Sequence, residues 1–530
     1  MDDSGQVAAP ARWWRAARFL RPSHEHTARS ATALLVGAIA LSRVIGFLRE
    51  TYIAWAFGAG LRTDAYVAAF TLPDYINYLL AGGTASITFI SIFTRYTAEG
   101  REAEARRTFS IVITVMSVVM LLMIAAGEVL APPFTRHWFK GFSPEQVRLC
   151  VYMTRILLPG QLFFVIGGVV SAVLLSRRMF LVPALAPLIY NLGIIFGGVL
   201  LGRRYGIDSL VYGALAGAFL GPFLINAIGA RRTGIGYRPS FQISHPGFKE
   251  WLWMSVPLML GVTLVAADDW IMRYFASHGA GDITRLNYAK RLMAVPIAVL
   301  GQAVGQAALP FFANLFGSQR LDEFRTTVTR SIYRVSAASF LVAAWMMAAA
   351  LPIVDLAFQR GHFSFNDSRE TAVFLFWFSL SLVFWSAQGL YARAFYAASD
   401  TITPMAAGWV ITLASLVVYR SLFHKFGVVG LAIASDIGIA AHTITLAALL
   451  HHNRLVPAGA MPWKELLKAL STAAFAGIAG CFVAAVVPMN GSRWADLAAL
   501  GLISVTWAAA VAIGLWFTKS ALPREILQRS

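Results

Sequence analysis

The sequence predicts an all-α polytopic membrane protein, with about fourteen transmembrane helices in two six-helix lobes plus two C-terminal helices. Three observations carry that reading. The 530 residues are 58% hydrophobic and only 13% charged. The apolar runs are near twenty residues or longer, the length an α-helix needs to cross a bilayer. Lys and Arg concentrate between the runs, as in loops that fix membrane orientation. A soluble bundle needs no such number of long apolar stretches. Outer-membrane strands alternate over about ten residues, whereas these runs are longer and uniformly apolar.

The first six spans are expected at Thr32–Ala56, Asp64–Phe93, Phe109–Pro132, Cys150–Leu175, Phe180–Leu201 and Ser209–Ile228. The next six are Glu250–Ala276, Leu286–Phe312, Ile332–Phe358, Ala372–Ala398, Thr403–Leu422 and Gly427–His451. Leu466–Val487 and Trp494–Phe517 complete the set. Pro73 and Pro159 fall inside the first lobe's helices, and Pro257, Pro296 and Pro310 inside the second's. Each removes an intrahelical donor and is expected to bend its helix. The domain reading is a basic cytoplasmic tail at 1–30, an N-terminal lobe at 31–229 and a linker at 230–249. A C-terminal lobe at 250–451, two further helices at 452–518 and a cytoplasmic tail at 519–530 follow.

Loop charges favour both termini in the cytoplasm. Arg95, Arg101, Arg106 and Arg107 follow span two, and Arg177 and Arg178 follow span four. Arg231, Arg232, Arg238 and Lys249 follow span six, and Arg320, Arg325 and Arg330 follow span eight. The opposite connections carry Arg136, Lys140, Arg148, Arg203 and Arg204, so the bias is moderate. The net charge of +18 lies largely in these loops and the N-terminal tail, where it meets anionic lipid; nucleic acid is not required. The tail has no apolar core before Thr32, so it is not a conventional signal peptide; it reads as flexible, or as a surface helix over Ala11–Leu20. Two cysteines, Cys150 and Cys481, exclude a secreted disulfide scaffold, and no Cys–His cluster suggests zinc or iron–sulfur.

Charges inside apolar segments are expensive and tolerable only beside a wet cavity or a partner. Arg43 and Arg49 sit in the first span, and Lys290 and Arg291 head the eighth. Arg43 and Glu50, seven apart, share a helix face, and a bend at Gly46 would turn Arg49 toward it. The rival reading has Arg43 snorkelling and Arg49 with Glu50 at the membrane boundary. Asp64, after the Gly58 and Gly60 turn, reads first as a cap on the helix it begins. Asp268 or Asp269 pairs with Arg273 along one helix, and Glu128 has no cation near it in sequence. Arg43, Arg49 and Arg291, with Lys290 assisting, make an anion-binding set suited to a diphosphate. Glu50, Asp64, Glu128, Asp268, Asp269 and Arg273 are the gating or coupling candidates. Ser86, Thr88 and Asn191 are candidate path-lining groups, with ordinary helix contacts as the alternative.

The stretch Ser42-Arg43-Val44-Ile45-Gly46-Phe47-Leu48-Arg49-Glu50 resembles the opening motif of bacterial lipid II flippases of the MurJ/MviN family. The likeness continues through Phe57–Gly60, Thr63–Tyr66 and Phe70–Pro73, then Pro183–Pro187 with Asn191. Tyr288–Met293, Phe395–Ala397, Asp400 and Thr403-Pro404 extend it in order. The resemblance implies the multidrug/oligosaccharidyl-lipid/polysaccharide exporter fold. Two six-helix bundles alternate around a central cavity, and the last two helices help form a groove for a lipid tail. It also implies transfer of undecaprenyl-diphosphate-linked peptidoglycan precursor to the outer leaflet, and it places Arg43, Arg49, Arg291 and Asp64 on the family's functional positions.

Departures are local. Asn77 and Tyr78 stand where the family commonly has two arginines, and Gly82 where it has an acid. Lys290 replaces an acid, and Ala294 a glutamate. The expected function is alternating-access translocation of lipid II, or a closely related undecaprenyl-diphosphate glycolipid, for peptidoglycan synthesis. A flippase for an exopolysaccharide or O-antigen precursor is the main alternative. A drug or ion exporter, a non-transporting scaffold and a membrane glycosyltransferase rank below it. Flipping breaks no covalent bond, so the chain reads as a transporter without a catalytic residue or cofactor, biased by membrane potential or an ion gradient. Its partners are the glycolipid, membrane lipids and cell-wall synthesis proteins.

Overall fold

The computed structural model describes residues 28–81, 84–177, 179–259, 264–489 and 491–523. The tail reading over 1–27, Gly82, Gly83, Arg178, Arg524 and Arg529 lies outside the described residues. Among the described residues every regular element is helical. Ten of these helices are long and apolar enough to cross a membrane. The pair Phe365–Leu380 and Leu382–Ala397, bent by 43°, makes an eleventh if it is one span. The chain is therefore an all-α multi-pass membrane protein.

Several expected spans are broken, for local reasons. Asp64–Phe93 is interrupted at Phe70, between Leu61–Ala69 and Thr71–Ala81, and its remainder lies in Thr84–Ala98. Pro73 sits in the first turn of the second piece, where amide donors lack intrahelical acceptors anyway. Ile332–Phe358 breaks at Ala349, between Leu321–Ala348 and Ala350–Phe358. Pro352, three residues on, cannot donate to the preceding turn, so a continuous helix is disfavoured there. Pro159 separates Pro144–Leu157 from Gly160–Ser176, which still read as one 33-residue span. Pro296 is followed by a π-helical turn, Ile297–Ala303, before Val304–Gly317 resumes the α-helix; Pro310 does not interrupt that piece. Gly46 produces no break, since Ala28–Phe57 is one 30-residue helix.

The chain forms two compact units that interleave in sequence. The first comprises residues up to Arg49, Ala69–Phe134 and Arg148–Leu260. Its core gathers Phe89, Phe93, Phe109, Leu158, Val173 and Trp251. Leu181–Tyr205 packs against Asp208–Ala218 through opposed glycines. A Cβ on Gly197 would lie 2.6 Å from the Gly213 Cα, and one on Gly213 would lie 2.4 Å from the Gly193 carbonyl. Gly193 and Gly197, with Gly213 and Gly217, thus form a small-residue ladder that lets two backbones touch. At one rim Arg95 bonds Glu250 at 2.5 and 2.9 Å, Arg177 reaches Glu102 at 2.7 Å, and His245 bonds Glu104 at 2.7 Å. The two arginine pairs absorb part of the loop charge and, being partly exposed, add little stability, whereas His245 is buried.

The second unit comprises Glu50–Ala68, Thr135–Val147 and the chain from Gly261 onward. Phe312, Phe324, Tyr333, Leu390, Phe395 and Leu446 form its main core. The last two long helices, Trp463–Val486 and Arg493–Phe517, pack together and against Leu321–Ala348. Two indole donors fasten the final helix to Leu321–Ala348: Trp345 donates to the Ser504 hydroxyl at 2.9 Å, and Trp507 donates to the Leu341 carbonyl at 3.0 Å.

Candidate functional site

Ala28–Phe57 carries Arg43, Arg49 and Glu50. In the first unit Arg43 is exposed, while Arg49 is half-buried and donates to the Asn191 side-chain oxygen at 2.8 Å. Asn191 in turn donates to the Pro187 carbonyl at 2.9 Å, which fixes its amide. The Cβ position of Gly46 faces the same Asn191 side chain at 3.7 Å, an ordinary contact distance. Thr88, also named as path-lining, is buried and shares a 2.6 Å hydrogen bond with Ser255, as the helix-contact alternative expected. Glu128 has a partner that sequence proximity did not reveal. Arg155, 27 residues on, lies 3.6 Å from its carboxylate and bonds its carbonyl at 3.0 and 3.2 Å. Asn77 donates to the Gln161 side chain at 2.8 Å.

In the second unit the segment Glu50–Ala68 meets the helix Asp282–Pro296, which bears Lys290 and Arg291. Asp64 is buried and caps that helix, correcting the expectation that it caps its own. Its carboxylate accepts the Gly281 amide at 2.5 Å, the Thr284 amide at 2.9 Å and the Thr284 hydroxyl at 2.6 Å. Gly281 adopts φ +85°, a left-handed conformation that glycine takes without steric cost. It brings no side chain to cap with, so the distant carboxylate satisfies the orphan donors and meets the positive helix end.

Lys290 bonds both Asp268 and Asp269, which stand on the helix Leu264–Ala276. Asp268 is 2% exposed, and it also accepts from the Tyr419 hydroxyl and, at 3.1 Å, from Ser435. The expected cation for this pair, Arg273 on the same helix, contributes charge near Asp269. Lys290, on a neighbouring helix, donates a hydrogen bond to each carboxylate. Four helices thereby share one buried ionic centre. Tyr419, Ser435 and the neighbouring buried Asp436 were missed from sequence. An acid at Asp436 within an apolar run was the signal that could have found them.

Arg291 is arranged differently. Its side chain is 51% exposed, and its Nε lies 3.6 Å from the carboxylate of buried Glu50. That separation is an ion pair but too long for a hydrogen bond. A guanidinium has five donors in a planar fork, so most of this one's capacity faces outward. Glu50 and Arg291 are thus brought together, as are Lys290, Asp268 and Asp269. Among the described residues no cluster of three or more His, Cys, Asp or Glu suits a metal ion.

The profile described as lipid II flippase MurJ matches residues 53–497. The chain belongs to the MurJ family. A probable lipid II flippase MurJ from Synechocystis sp. is 27% identical over 489 residues, covering 87% of this chain and 89% of the relative. A lipid II flippase MurJ from Burkholderia cenocepacia is 28% identical over 427 residues, covering 77% and 81%. A solved lipid II flippase MurJ in an inward closed conformation superposes with a TM-score of 0.76 at 20% identity. That match covers 91% of this chain and 99% of the other. An inward-facing multidrug transporter of the MATE family superposes at 0.63 with 16% identity, covering 79% and 98%. These structures establish that MurJ and MATE proteins share this fold.

Proposed function

We propose that the protein translocates lipid II, or a closely related undecaprenyl-diphosphate glycolipid, across the bacterial inner membrane by alternating access. The observation that carries this reading is the family match across 53–497. The exposed guanidinium of Arg291, on a helix clamped by Asp64, supports it chemically. Arg43, Arg49 and Arg291 bind the diphosphate, for which a guanidinium offers paired donors. Lys290, which bonds Asp268 and Asp269, is the assisting cation. Glu50, as the partner of Arg291, is the natural gate: an arriving phosphate and the Glu50 carboxylate compete for one cation.

The full architecture we propose has fourteen spans, two six-helix lobes and two C-terminal helices, with both termini cytoplasmic. The loop charges support that orientation. The undecaprenyl chain stays in hydrocarbon throughout, because removing it costs apolar transfer energy. Membrane potential or an ion gradient biases the cycle, and cell-wall synthesis proteins take the product.

A second reading, a flippase for another polyprenyl-diphosphate glycan, is favoured by Asn77. Where relatives commonly carry an arginine, this amide is engaged by Gln161. Reconstitution of purified protein with a panel of lipid-linked glycans separates the two. Movement of lipid II above empty vesicles, read by leaflet accessibility, is the expected result. Selective movement of another diphosphate lipid replaces it, and no movement by folded protein under an imposed gradient rejects both.

A further inference from the structure

A cavity of about 470 Å³ opens at one end of the second unit, between the first three turns of Leu321–Ala348 and the segment Pro457–Pro462. The helix contributes one face, with Arg325, Thr326, Thr329, Arg330 and Tyr333 at helical spacing. The opposite wall is apolar, from Pro457, Ala460 and Pro462. Arg325 is held in place: it donates to Asp322 at 3.1 Å and to the Arg454 carbonyl at 3.2 Å. Asp322, the carboxylate on the rim, is almost fully exposed. Arg330 is exposed and has no carboxylate partner among the described residues. Thr329 is only 5% exposed, lines the cavity, and its hydroxyl has no hydrogen-bond partner. A buried hydroxyl without a partner has bonding capacity left for a water or a ligand atom that reaches it.

We propose that this cavity binds the phosphate headgroup of an anionic phospholipid. A guanidinium pair with a hydroxyl between suits a phosphodiester oxygen. The position selects a lipid over a free ion. The arginines stand where the helix leaves its apolar stretch, the level at which phosphates gather, and basic pockets between membrane helices hold anionic headgroups. Beyond Pro462 the next helix exposes Trp463, Leu467 and Leu470 at i, i+4 and i+7. That stripe gives acyl chains an apolar track, and an indole at its end suits the interface. The inference does not depend on which glycolipid is transported.

Native mass spectrometry of the full chain tests it, with lipid retention counted after supply of phosphatidylglycerol or phosphatidylcholine. Retention of phosphatidylglycerol over phosphatidylcholine is expected. Arg330→Gln should lower it roughly tenfold, the size of one lost charge-assisted bond. Thr329→Val, nearly isosteric, should weaken retention in the same direction and serves if the arginine variant unfolds. Arg320→Gln, outside the cavity, should change nothing. Equal retention by the native chain and both cavity variants, or equal retention of the two lipids, overturns the proposal. Full displacement of phosphatidylglycerol by millimolar inorganic phosphate, with the same stabilisation, reassigns the site to a free anion and also overturns it.

Discussion

Lys290 and Arg291 occupy consecutive positions, yet only Lys290 bonds two aspartates. Their substitutions should therefore fail in different ways. Arg291→Ala should leave abundance and insertion intact and lower flipping of diphosphate lipids by roughly tenfold or more, a lost charge-assisted contact. Arg291→Lys should recover part of the rate, because charge survives without the fork geometry. Initial rates in vesicles check both, and an unchanged rate for Arg291→Ala removes it as the anion anchor. Lys290→Met should instead destabilise the fold by about 3–5 kcal/mol, since it strands the buried Asp268 charge. Pairing it with Asp268→Asn should restore much of that loss, read as thermal unfolding in detergent. The charged residues were legible in sequence because a cation in an apolar run is conspicuous. Their partners were not. Asp268 and Lys290 are 22 positions apart, Glu128 and Arg155 are 27, and no spacing rule reaches across separate helices.

At the scale of elements, helices are held by small residues and by caps borrowed from elsewhere. Gly197→Leu should push Leu181–Tyr205 off Asp208–Ala218, because a Cβ there already meets backbone at 2.6 Å. The expected result is poor accumulation or a lowered unfolding temperature, whereas Gly206→Ala, where nothing lies within 4 Å, serves as the comparison for φ strain alone. The ladder of Gly193, Gly197, Gly213 and Gly217 is visible as four-residue spacing. Spacing alone does not say which helix it faces. Asp64→Asn should cost about 1.5–3 kcal/mol, as one amide oxygen replaces a carboxylate that accepts three bonds. Span positions were legible from apolar runs, but their continuity was not. Hydropathy averages over the break at Ala349 and the bend at Ser381, which depend on Pro352 and on local backbone angles.

At the scale of the whole molecule, loop charge predicts that Arg101 and Arg320 lie on one side of the membrane with the N-terminus. Cysteine labelling at those positions in intact cells checks this, and labelling of Arg101→Cys and Arg320→Cys from opposite faces refutes it. The interleaved units were not legible at all, since composition marks 230–249 as the divide while Glu50–Ala68 joins residues far downstream. That placement has a consequence for biosynthesis. Asp64 leaves the ribosome before its hydrogen-bond donors, Gly281 and Thr284, have been translated, a gap of 217 to 220 residues. At bacterial elongation speeds of about 5–20 residues per second, the carboxylate waits roughly ten to forty seconds for them. During that interval an acid that ends up buried has no native shelter. The early hairpin must then either stay near the aqueous edge of the insertion machinery or be shielded by it. A nascent chain stalled at residue 250 should thus leave position 64 open to aqueous thiol reagents as Asp64→Cys, and one stalled past residue 320 should close it.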